Sequence, residues 1–104
     1  MTSKQRAFLK SLAMNIDPSV HIGKESLTPE VVKSVQEALS ARELVKIAVL
    51  NNCLDDLKSL AEAVSERTRS QVVQVIGRKI VLYKPAEDEK NRKIDLVHLT
   101  FGKG

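Results

Sequence analysis

The chain has 104 residues, 42% of them hydrophobic and 29% charged, a balance that fits one globular domain and excludes a disordered or fibrous chain. Seventeen Lys and Arg against thirteen Asp and Glu leave a net charge of +4, which permits a polyanionic partner without requiring one. A complete doubly wound dinucleotide-binding fold does not fit this length. With no Trp and only Phe8, Tyr83 and Phe101 as aromatics, the core must rest on Leu, Ile, Val and Ala.

Thr2 followed by Gln5 is a capping-box pattern that opens a helix through about Asn15. Phe8, Leu9, Leu12 and Ala13 fall on one side of it, leaving Lys4, Arg6 and Lys10 in water. This acid-free start is shared by organellar transit peptides and by amphipathic first helices of cytoplasmic proteins, and the second reading is adopted. Asp17-Pro18 breaks the helix, because the residue before proline is pushed towards extended geometry. Val20 to Ile22 then reads as a short strand running into Gly23.

Thr28-Pro29-Glu30 starts the second helix: a side-chain acceptor, a proline suited to the first position and a carboxylate at the positive end. Val31, Val35, Ala38 and Leu39 give it a buried stripe. Leu44 to Leu50 reads as a strand interrupted only by Lys46. Asn51 or Asn52 is the expected cap of a third helix with Leu54, Leu57, Ala61 and Val64 as its core face. Val72 to Ile76 and Lys79 to Lys84 form a hairpin about Gly77-Arg78, where glycine at the first turn position suits a type II′ turn. Pro85 ends the sheet, and the charge run Glu87 to Lys93 reads as solvated, so residues 1–85 are expected to form the domain and 86–104 a charged, flexible tail. The order α-β-α-β-α-β-β predicts a compact α/β fold with a four-stranded mixed sheet.

Catalytic chemistry has little to draw on. Cys53, the single cysteine, sits at the expected start of the third helix, where a dipole lowers a thiol pKa, but a lone cysteine is more often structural. His21 is read as a packed or surface residue and His98 as solvated, and no metal-ligand spacing can be assembled from His21, His98 and Cys53. No apolar run approaches a membrane span. The expectation is a non-enzyme with no cofactor, metal, membrane or small-molecule substrate.

The loop Gly23-Lys24-Glu25-Ser26 joins a strand to a helix N-terminus, where unpaired amides favour an anion. Gly23 would allow close approach of a phosphate and Lys24 would add charge, while Glu25 opposes it. The same four residues also fit an ordinary βα turn with glycine at positive φ. Residues 67–84 hold Arg67, Arg69, Arg78, Lys79 and Lys84 and no acid; with Lys4, Arg6 and Lys10 they form either a basic face for a phosphate backbone or separate solvated surfaces. Tyr83 is expected in the core, so base stacking is nearly absent.

Gln5-Arg6 to Leu12-Ala13, Ile22-Gly23-Lys24, Leu27-Thr28, Arg42-Glu43-Leu44-Val45-Lys46, Val73-Gln74-Val75-Ile76-Gly77 and Val81-Leu82-Tyr83-Lys84 follow one another in an order that resembles the CRM domain, named for chloroplast RNA splicing and ribosome maturation, in its bacterial stand-alone YhbY-type form. The resemblance covers about residues 2–85. It implies a fold similar to the C-terminal domain of bacterial translation initiation factor three, and RNA binding on precursors of the large ribosomal subunit. It also implies that the Gly23 loop corresponds to the family's GxxG loop, with Ser26 replacing the second glycine. The RNA-binding residues expected on this basis are Gly23, Lys24 and Ser26, with counter-charge from Lys4, Arg6, Lys10, Arg78 and Lys79. Two rivals remain: a ribosome-associated protein-interaction module without RNA contact, and a small enzyme using Cys53.

Overall fold

The computed structural model describes residues 1–101. Helix α1 spans Ser3–Ala13, strand β1 Val20–Ile22, α2 Pro29–Arg42, β2 Leu44–Val49, α3 Leu57–Thr68, β3 Gln71–Ile76 and β4 Lys79–Tyr83. Beyond them lie a 3-10 turn at Glu89–Asn91 and a short pair, β5 Ile94–Asp95 with β6 Thr100–Phe101. The main sheet has the order β1-β2-β4-β3; β1 runs parallel to β2, and the other pairs are antiparallel. The α/β fold and mixed sheet expected from the sequence are what forms.

The local signals explain most of these boundaries. Thr2 and Gln5 exchange both capping-box hydrogen bonds, at 3.0 and 3.1 Å. Thr28 Oγ1 accepts from the Val31 amide at 3.2 Å, with Pro29 as the first helical residue. Gly77 has φ +56° between partners Ile76 and Lys79, as a type II′ turn requires at its first central position.

Alternation along the strands divides the core in two. Val20, Ile22, Val45, Ile47, Val49, Ile80 and Leu82 pack with Val35 and Leu39 of α2 and Leu60, Ala61 and Val64 of α3. Leu44, Val73, Val81 and Tyr83 form the second cluster with Leu9 and Ala13 of α1, and with Ile94. The sheet is therefore covered by α2 and α3 on one face and by α1 and the C-terminal segment on the other.

The third helix starts later than the sequence reading places it. Its N-cap is Asp56, whose Oδ2 accepts from the Ser59 amide at 3.1 Å and the Ser59 hydroxyl at 3.0 Å, so a carboxylate further along the chain displaces Asn51 and Asn52 as the cap. Cys53 consequently lies before the helix, buried in a turn closed by its own amide on Leu50 O at 3.0 Å. Leu54, expected in the core, is 94% exposed, and the stripe runs instead through Leu60, Ala61, Val64 and Thr68.

The segment after Pro85 also departs from the free tail expected. Its described part, 86–101, folds back: Ile94 is buried and Leu96 packs on the α1 cluster. Its anchor is Glu43, only 1% exposed. The Glu43 carboxylate accepts from the amides of Ala86 at 2.9 Å, Lys93 at 2.5 Å and Ile94 at 3.1 Å. Glu43 is also the C-cap of α2, with φ +66°. No local pattern announces this contact, because its partners lie 43 to 51 residues away. Residues 102–104 of the expected tail lie outside the described residues.

Tyr83 is buried beside this anchor. Burial of the phenol, reinforced by the nearby Glu43 carboxylate, raises its pKa above the ordinary value. Because the folded value is the higher one, the unfolded chain releases its proton first. Stability is therefore unaffected below about pH 10 and falls as pH rises through the window above it. Tyr83 is the sole tyrosine and there is no tryptophan, so tyrosinate absorbance reads this group alone. Its midpoint is expected above that of the urea-unfolded chain; equal midpoints would contradict the assignment.

Candidate nucleic-acid interface

The parallel pairing of β1 and β2 brings their C-terminal ends together, and the β3–β4 turn reaches the same end of the sheet. Leu50 N donates to Ile22 O at 2.8 Å, joining the chain leaving β2 to the end of β1. The side-chain amide of Asn52 and Leu50 Cδ1 lie 3.4 and 3.5 Å from where a Cβ on Gly23 would stand. Three connections thus meet here: the Gly23–Ser26 turn, the 50–56 loop and the Gly77-Arg78 turn.

The Gly23 turn is closed by Ser26 N on Gly23 O at 3.0 Å, with Lys24 and Glu25 exposed between them. The residue at positive φ is Ser26, at +59°, and Gly23 is outside that region. This corrects the expectation that Gly23 supplies left-handed geometry: close packing against Asn52 is what its missing side chain permits. The Ser26 hydroxyl donates to Asp55 Oδ2 and so faces the α3 side of the loop. The first turn of α2 has few amides for an anion, since Pro29 has none and those of Val31 and Val32 go to Thr28.

Arg78 has an internal role that sequence reasoning missed. Its Nε donates to Val49 O at 3.0 Å, and its Nη2 to Leu50 O at 2.7 Å and Cys53 O at 3.0 Å. The guanidinium thus braces the 50–53 turn. Arg6 acts similarly across the sheet, with Nη1 2.8 Å from both Val72 O and Val73 O, where the β3 register shifts between Val72 and Gln74. A bulge exposes carbonyls that the ladder no longer uses, and a guanidinium suits such paired acceptors. Lys4 and Lys10 are exposed on α1, which packs on β2 and β3 rather than beside the Gly23 turn.

Register reveals a second basic zone. His21, Ala48, Lys79 and Ile76 are successive partners in one row across all four strands. They face the α1 side, but α1 and the C-terminal segment cover the other end of that face, around Leu44 and Tyr83. Near the Gly23 turn this face is more open: His21 and Ile76 are exposed and Lys79 is half-buried, with Ala48 buried between His21 and Lys79. Half-buried Lys46 stands in the next row, paired with Val81. The four strands and the Gly77-Arg78 turn contain no Asp or Glu. Lys46 and His21 were not singled out from the sequence as contacts; period-two alternation with the parallel register is the signal that would have grouped them with Lys79. On the opposite side of the loop, a groove of about 330 Å³ is lined by Ser26, Leu27, Asp55, Asp56, Leu60 and Arg67 among others, so acids border the α3 side and lysines the sheet side.

Among the described residues no group of His, Cys, Asp and Glu could hold a metal ion, and no helix is long and apolar enough to cross a membrane.

Against known proteins, residues 1–84 match the model of the CRS1 / YhbY (CRM) domain. The chain belongs to the CRM family. Among its CRM relatives, the "Probable RNA-binding protein YqeI" of Bacillus subtilis is 45% identical over 96 residues, covering 92% of this chain and 98% of that protein. The "RNA-binding protein" of Haemophilus influenzae is 34% identical over 90 residues, 86% and 91% of the two chains. The solution structure of the hypothetical protein SAV1595 from Staphylococcus aureus superposes with a TM-score of 0.75 at 45% identity, covering 91% of this CRM chain and 99% of that one.

Proposed function

We propose that this CRM protein binds RNA through its phosphate backbone and acts in assembly of the large ribosomal subunit as a non-enzymatic, cytoplasmic factor. RNA would be held over the Gly23–Ser26 turn, with Lys24 at its tip, and would run onto the open sheet face towards Lys46, Lys79 and His21. The observation that carries the reading is the acid-free sheet end beside an exposed Lys24, the charge pattern a phosphate track requires. The relatives named for RNA binding support the partner class. Lys4 and Lys10 extend the positive field from α1. Arg6 and Arg78 support the site through the fold, because their guanidinium hydrogen bonds go to backbone carbonyls. The buried Cys53 lends no support to thiol chemistry.

Fluorescence anisotropy with fragments of large-subunit ribosomal RNA, across roughly 50 to 200 mM salt, tests this. Affinity is expected to fall steeply with salt. Lys24→Glu is expected to weaken binding about tenfold on unrelated RNAs alike, because phosphate contacts position without specifying. Unchanged affinity would remove Lys24 from the interface, and no binding at low salt would overturn the RNA reading. Salt-insensitive association with ribosomal particles would favour a protein partner, for which Leu54 and Ile76, 94% and 58% exposed, offer apolar contacts.

A further inference from the structure

We infer that Asp55 positions the Gly23–Ser26 turn for RNA by holding Ser26 in its left-handed conformation; the inference rests on the RNA-binding reading above. Ser26 has φ +59°, a region that crowding of Cβ against the backbone disfavours for every residue except glycine. Such a conformation persists when surroundings over-determine it, and here the hydroxyl donates to Asp55 Oδ2. The same oxygen lies 3.8 Å from Cys53 Sγ, within the turn that Arg78 braces through the Leu50 and Cys53 carbonyls. A continuous set of contacts therefore runs from the β3–β4 turn through Arg78, the 50–55 loop and Asp55 to Ser26. Because the Ser26 amide closes the turn on Gly23 O, its φ sets how Lys24 and Glu25 are presented.

Asp55 then has two effects of opposite sign on RNA affinity. As a hydrogen-bond acceptor it preserves the turn and favours binding. As a carboxylate beside the phosphate track it opposes binding. Asp55→Asn keeps an acceptor and removes the charge, whereas Asp55→Ala removes both, so the difference between the two variants isolates the acceptor. A wholly electrostatic Asp55 would make them equal.

The experiment compares Asn and Ala at position 55 in the parent and in a Ser26→Gly background, using the labelled large-subunit ribosomal RNA fragments. In the parent background Asp55→Ala is expected to bind about fivefold more weakly than Asp55→Asn, and Asp55→Asn to bind about twofold more tightly than the unaltered protein. In the Ser26→Gly background, where glycine adopts the conformation unaided, the two are expected to agree within about twofold, the coupling a double-mutant cycle reads. Equal affinities in the parent background, or the same fivefold gap in both, would overturn the proposal. The Cα and Cβ chemical shifts of residue 26 without RNA are the second readout, expected unchanged in Asp55→Asn and displaced in Asp55→Ala. If the unaltered protein binds no RNA, the functional reading fails; these shifts still decide whether Asp55 holds Ser26, and shifts unmoved in both variants would overturn that.

Discussion

Replacing Glu43 with Ala is expected to destabilise the protein by about 3 kcal/mol, through loss of three amide hydrogen bonds to a buried carboxylate and release of the segment they anchor. A hydrogen bond to a charged group contributes about 1.5–3 kcal/mol net, but detachment lets the freed amides of Ala86, Lys93 and Ile94 find water, which limits the total. Glu43→Gln keeps the shape and one carbonyl oxygen while setting an NH2 group against a donor, so about half the loss is expected. Urea unfolding measures both variants, and limited proteolysis of the native protein should cut first within 86–101 in Glu43→Ala. Stabilities within about 0.5 kcal/mol of the parent, with unchanged cleavage, would show that Glu43 does not anchor the segment. Glu43 is the C-cap of α2 at positive φ, a conformation for which glycine is the usual residue. The contacts explain why a side chain is held there: one carboxylate joins the amide of Ala86 to those of Lys93 and Ile94.

Arg78→Ala is expected to lower stability by about 2 kcal/mol and RNA affinity severalfold, leaving the slope of log affinity against log salt unchanged. The guanidinium satisfies the carbonyls of Val49, Leu50 and Cys53; without it the 50–56 loop loses its brace and the Gly23 turn loses its packing partner Asn52. A residue that instead neutralised one phosphate would change the slope by about 0.7 for single-stranded RNA. Slope and stability together therefore separate bracing from counter-charge: a slope reduced by that amount with normal stability would return Arg78 to the phosphate track. Arg78→Lys retains the charge but not the planar fork of donors, so most of the stability loss should remain.

These two residues also mark where sequence reasoning stops. Arg78 belongs to a hairpin turn readable from glycine and strand pattern, and its charge is plain, yet nothing local reveals that its donors face carbonyls 25 to 29 residues back. Arg6 is similar, 66 residues from the carbonyl it meets at the β3 bulge. In both cases the sequence identifies a cation and the fold decides whether its hydrogen bonds face inward. The third helix shows a local ambiguity of a different kind: Asn51, Asn52 and Asp56 are all competent caps by residue type. Ser59 three residues after Asp56, donating its amide and hydroxyl to that carboxylate, favours the later start, and Leu54 is left in solvent as a result.

By itself, the sequence determined the features governed by short-range rules. Capping chemistry and proline placement started α1 and α2, the apolar periods defined their buried faces, and glycine shaped the β3–β4 turn, because each requires only neighbours within about four residues. The order of those motifs was also sufficient for the CRM resemblance. Tertiary structure alone decided which charges stand together and which are used internally. It set Lys46, Lys79 and His21 on one open face through strand register, turned Arg6 and Arg78 towards backbone carbonyls, joined Ser26 to Asp55, and drew the C-terminal segment onto Glu43. Each of those outcomes depends on groups far apart in the chain meeting through the fold: alternation tells which strand residues share a face, but register and loop packing decide which of them become neighbours.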